Sequence, residues 1–113
     1  MQYMLLIYED EAAFAEPSTM QTAVAAHMRL AAEMREKGVW LAGAGLCPTE
    51  TATTVRRNGD ARTVHDGPFP ETREHLGGFY MIEVSDLDAA LDWARRVPVT
   101  DGGGIEVRPL IDE

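Results

Sequence analysis

A chain of 113 residues is long enough for one hydrophobic core and too short for two, and its 45% apolar content is sufficient to build one. The formal charge of -9 repels phosphate backbones and anionic lipid surfaces. The basic doublets Arg56-Arg57 and Arg95-Arg96 are too small to reverse that field, so neither nucleic acid nor membrane is expected as a partner.

Cys47 is the single cysteine, which excludes an internal disulfide and a cysteine-rich metal centre and fits a reducing, cytoplasmic setting. The opening run Tyr3 to Tyr8 lacks a basic leader and meets Glu9, Asp10 and Glu11 at once, unlike an export signal. No apolar run is long enough to span a bilayer.

Residues 2 to 8 read as a strand with Tyr3, Leu5 and Ile7 on one face and Met4, Leu6 and Tyr8 on the other. A strand apolar on both faces needs two covers. Ser18 and Gln21 have capping-box spacing directly after Pro17, which predicts a helix start there. Val24, Met28, Ala31 and Met34 give that helix its apolar stripe, and Gly38 stops it.

Residues 39 to 46 form the next predicted strand, reached by a helical crossover and therefore parallel to the first. Its Gly43 and Gly45 indicate close approach to one face. Thr53 to Arg57 and Asp60 to Val64 flank Asn58-Gly59, the sequence of a hairpin with a type I′ turn.

A loop is expected over residues 65 to 77 and a strand over 78 to 84. Ser85 and Asp88 repeat the cap spacing before a second helix, whose stripe is Leu87, Ala90, Leu91, Ala94 and Val97 and which ends ahead of Pro98. Gly102 to Gly104 turn the chain into a last strand, Ile105 to Leu110.

The order β-α-β, hairpin, β-α-β describes a single α+β domain over residues 1 to 113: a ferredoxin-like antiparallel or mixed sheet with two helices on one face and an inserted β-hairpin. That topology puts the two most apolar strands in the centre. Their own helices cover one face, which leaves the other to a partner sheet in a homodimer with sheets face to face, or to the hairpin folded back over it. At about 25 cal/mol per Å² of apolar surface, several hundred Å² buried between sheets is worth on the order of 10 kcal/mol before association entropy.

The stretch Asp66-Gly67-Pro68-Phe69, Glu71, Arg73-Glu74, Leu76-Gly77-Gly78 and Phe79 resembles the signature of the DGPF branch of YCII-related proteins. Similar runs open the chain at Tyr3 to Tyr8, recur at Gly43 to Leu46 and Thr51 to Arg56, and close it at Val107-Arg108-Pro109. His65, Pro70 and Arg73 stand where that pattern has Thr, Ala and Lys. The resemblance implies a dimeric α+β barrel, small enzymes that use a His-Asp pair, and companions of extracytoplasmic-function sigma factors.

His27 lies beside the apolar stripe of the first helix, where a histidine can titrate near neutral pH or serve as a structural, hydrogen-bonded residue. An Asp66 carboxylate at its ring N-H would make it a general base. Asp66 to Phe69 also reads as a rigid turn, with Gly67 supplying unusual backbone angles and Pro68 a fixed φ.

The expected site is catalytic His27 and Asp66, with Arg73, Phe69 and Gly43 binding substrate and Arg73 stabilising an anion. His65, Asp66, Glu71 and His75 match no compact ligand spacing, so no metal is expected. No dinucleotide fingerprint, P-loop or nucleophile elbow is present, and no cofactor is expected. Two functions fit: a cofactor-free enzyme for proton transfer or elimination on a small molecule, and a noncatalytic ligand-binding or regulatory dimer linked to sigma-factor-dependent transcription.

Overall fold

The structure, a computed structural model, describes residues 1–68 and 73–112. In chain order the elements are β1 (Gln2–Asp10), α1 (Pro17–Glu36), β2 (Trp40–Gly45), β3 (Thr53–Asn58), β4 (Ala61–Asp66), β5 (Glu74–Glu83), α2 (Leu87–Ala94) and β6 (Gly104–Pro109). Short 3₁₀ turns follow β1 and precede β3.

Four strands form a sheet in the order β2-β5-β1-β6, and β3 pairs with β4 in a separate hairpin. Every pairing is antiparallel. β1 and β2 still run in the same direction, as the crossover requires, because β5 lies between them. The ferredoxin-like α+β expectation holds, with β1 and β5 at the centre.

Alternation along the central strands decides which side chains meet the helices. Tyr3, Leu5 and Ile7 of β1 and Tyr80 and Ile82 of β5 are buried, together with Leu30, Ala31 and Met34 of α1 and Ala90 and Ala94 of α2. Leu5, Met34 and Ile82 are sealed completely. The opposite face carries Met4, Leu6, Tyr8, Phe79 and Met81, all half-buried. No helix among the described residues is long and apolar enough to cross a membrane.

Several boundaries differ from those the sequence predicts. Pro17 is the first helical residue of α1, where its missing N-H costs nothing, and Ser18 makes no cap bond. α2 is capped by Asp86, whose carboxylate accepts from the Ala89 N-H at 2.9 Å, rather than by Ser85. That helix also stops at Ala94, and its tightened last turn delivers Val97 to the core outside the helix.

The hairpin turn is Gly59-Asp60, with Asn58 paired to Ala61. Gly59 has φ +64 and no non-glycine residue among the described residues has positive φ, so the turn is of the type II′ class. The one-residue slip puts Val55 opposite Val64.

The expected loop over 65 to 77 is shorter, since β4 reaches Asp66 and β5 begins at Glu74. β5 accommodates its extra length with a bulge against β1: Ile7 pairs with Gly78 and Tyr8 with Leu76, which leaves Gly77 as the extra residue.

Candidate functional site

The stripe that α1 turns toward the sheet matches the predicted one at Ala31 and Met34 but not at Val24 and Met28. Leu30, Ala31 and Met34 are buried, but Val24 and Met28 are 49% and 68% exposed, and the half-buried Ala23 and His27 take the inward positions. The cause lies on β5. Tyr80 points to the helix face, and a buried phenol needs a hydrogen-bond partner. His27 provides one, with Nδ1 2.6 Å from the Tyr80 hydroxyl.

The pair sits at the base of a cleft of about 400 Å³ between the first half of α1 and the β2–β5 ribbon. Burial alone holds the His27 imidazole below its ordinary 6.5 and pushes the Tyr80 phenol up to about 12. At neutral pH both partners are therefore uncharged.

The ring of Tyr80 is held from behind by Trp40, edge-on at 6.0 Å between centroids, and the Arg35 guanidinium lies 4.3 Å over Trp40. Gly43 lines the cleft and makes this arrangement possible. A Cβ there would stand 2.7 Å from the Trp40 ring and 3.1 Å from the Phe79 carbonyl oxygen. Gly45 differs from the sequence expectation, since its face opens onto free space rather than onto a close neighbour.

The other expected site residues lie elsewhere. Asp66 is exposed at the end of β4, paired in the ladder with Thr53, and does not line the cleft of His27. The following turn is held by Gly67, whose φ is +117, whose N-H donates to the Ala52 carbonyl at 2.8 Å and whose own carbonyl accepts from Thr54 Oγ1 at 2.6 Å. Of the expected rigid turn, the described part, Asp66 to Pro68, is thus anchored at Gly67 by two hydrogen bonds.

Arg73 lines a second, more open cleft of about 1190 Å³ at the root of the hairpin, in the company of Asp10, Glu74 and Asp101. Phe69 lies outside the described residues.

The charges around His27 have one sign. Glu9 and Glu11 are the charged side chains, apart from the histidines, on the walls of the cleft formed by the described residues. Each is pinned by a backbone donor: Thr100 N-H to Glu9 Oε1 at 3.0 Å and Thr49 N-H to Glu11 Oε1 at 2.9 Å.

A family model described as the YCII-related domain matches residues 1–113. The chain belongs to the YCII-related family. This YCII-related chain is also 49% identical over 71 residues to an uncharacterized protein of Rhizobium meliloti (strain 1021). That similarity takes in 59% of the YCII-related chain and 56% of the other protein, so a little over half of the relative's length is represented.

Tyr80 is the member of the candidate site that sequence reasoning passed over. Strand alternation groups Gly78, Tyr80 and Ile82 on one face and Phe79 and Met81 on the other. With both faces apolar, periodicity cannot say which one meets the helices. The hydroxyl of Tyr80 and the imidazole of His27, two polar groups on elements that must pack together, were the available signal.

Proposed function

We propose that the cleft between α1 and the β2–β5 ribbon binds a small molecule, and that its chemistry is cofactor-free acid/base catalysis centred on His27. The observation that carries this reading is the 2.6 Å contact between His27 Nδ1 and the Tyr80 hydroxyl in a largely apolar cleft whose walls also carry Glu9, Glu11 and His75.

In the basic tautomer, Nδ1-H donates to the Tyr80 oxygen, and the Tyr80 O-H turns toward the His27 carbonyl 3.5 Å away. Nε2, which Tyr80 does not engage, then accepts the substrate proton, and the imidazolium keeps its Nδ1-H bond to Tyr80. Proton transfer or elimination next to a carbonyl or aromatic ring is the reaction class.

The test is hydrogen exchange in D₂O, followed by proton NMR, over a panel of small carbonyl and aromatic metabolites. The wild-type protein accelerates exchange of an acidic C-H, and His27→Gln loses roughly 10²- to 10⁴-fold. Equal rates for the two proteins on every compound would sink the catalytic reading.

One observation favours a second reading, binding without turnover. The partner of His27 is a neutral hydroxyl rather than a carboxylate, and burial disfavours the imidazolium that a base must become. Saturable binding with no exchange identifies this case. In both readings the working form is a homodimer, supported by the apolar sheet face that the chain's own helices leave uncovered.

A further inference from the structure

We infer that the ligand of the His27 cleft is an aromatic molecule bearing a protonated amine, and that the cleft is built to reject carboxylates and phosphates. The inference rests on the reading that this cleft is a small-molecule site, and it adds the chemical class.

Three features combine. The walls are apolar and adaptable: Phe14, Met20, Val24 and Met28 line one side, and the three aliphatic side chains among them, all on α1, are exposed rather than spent on the core. Facing them, Gly45 of β2 and Gly77 and Gly78 of β5 present backbone to the cleft, with open space where a Gly45 Cβ would stand, which leaves a floor for a planar ring.

The charge is set by two carboxylates on the walls. No Lys or Arg lines the cleft among the described residues, and its fixed charges are the Glu9 and Glu11 carboxylates, each held in place by a backbone N-H. Arg35 lies over the Trp40 ring and does not line the cleft, and Arg73 lines the other cleft. An anion entering here gives up its hydration and meets two carboxylates, with a neutral His27-Tyr80 pair beneath. A protonated amine meets the same two carboxylates with favourable sign while its ring covers the glycine floor.

The test uses three probes of one shape: naphthylmethylamine as cation, naphthalenemethanol as neutral molecule and naphthoate as anion. Binding is followed by NMR shift changes at Gly77, Gly78 and Tyr80 amides at pH 7 in low salt. The expected order is amine, alcohol, acid, with the amine about five-fold tighter than the alcohol and that advantage shrinking as salt is added.

In the Glu9→Gln/Glu11→Gln double variant, amine and alcohol bind equally. Single variants give intermediate ratios should the double variant fold poorly. An acid that binds as well as the amine, or a preference unchanged in the glutamine variants, overturns the inference while leaving the cleft as a site. Absence of any shift at these amides with all three probes at millimolar concentration overturns both.

Discussion

The residue on which the proposed chemistry turns is also the one whose protonation opposes folding. Burial lowers the affinity of His27 for a proton relative to the unfolded chain, so below the ordinary value of 6.5 the unfolded state binds more protons than the folded one. This contribution to stability is complete above that value and falls away as the pH drops beneath it. Urea unfolding at a series of pH values should show stability declining from about pH 6.5 downward, and His27→Gln should flatten that upper part of the decline. Glu33, whose carboxyl is held low chiefly by its bond from Arg96, acts in the separate acid range below its ordinary 4.5. Tyr80→Phe leaves His27 Nδ1 without its partner and should cost about 1 kcal/mol of stability and about ten-fold in any exchange rate. An unchanged rate in this variant would show that Tyr80 supports the helix and not the chemistry.

Among the elements, the helix starts offer the clearest test of local physics. Asp86 satisfies the Ala89 N-H, whereas Ser85 one residue earlier has no part in the cap. Asp86→Ala should therefore cost about 1 kcal/mol, with Ser85→Ala and Ser18→Ala close to neutral, measured by chemical denaturation. The serines misled because the Ser-x-x-Gln and Ser-x-x-Asp spacings match the cap pattern at both helices. Pro17 at the first turn and the competing Asp86 decided the outcome instead. Element order and topology were legible because hydrophobic periodicity changes cleanly between strand and helix and two β-α-β halves admit few arrangements. His27 was legible as a residue near the sheet, but its partner was not. The choice between Asp66 and Tyr80 depends on which face of β5 turns inward and on where the hairpin sits, and both are tertiary facts. Gly43 marks the same limit: its close neighbour is Trp40, three residues back on the same strand. Gly43→Ala should displace that ring and weaken ligand binding, with a change in Trp40 fluorescence reporting the shift.

At the scale of the whole molecule, the structure is a flat plate with an arm. Its least dimension is 21 Å, that of one sheet and one helix layer at about 10 Å each. Its radius of gyration is 15.7 Å, against roughly 13 Å for a compact chain of this length. The hairpin accounts for the excess, since it forms its own two-stranded sheet and carries Val55 and Val64 58% and 68% exposed. It is therefore not the roof over the open face that a self-sufficient monomer needs. Across that face the ladder aligns Ala42, Met81 and Met4 in one row and Ala44, Phe79 and Leu6 in the next, flanked on β6 by Arg108 and Glu106. An apolar centre bordered by charge on β6 is what the proposed face-to-face homodimer needs, and a second copy of the same sheet would offer the matching surface. Sedimentation at low micromolar concentration should give a mass near twice 12.4 kDa. Met81→Glu places a charge in the middle of the rows without touching the helix-side core, so it should yield a monomer with unchanged circular dichroism. A wild-type protein that sediments as a monomer, or a Met81→Glu variant that remains dimeric, removes the face-to-face arrangement and moves the search for a contact to the arm.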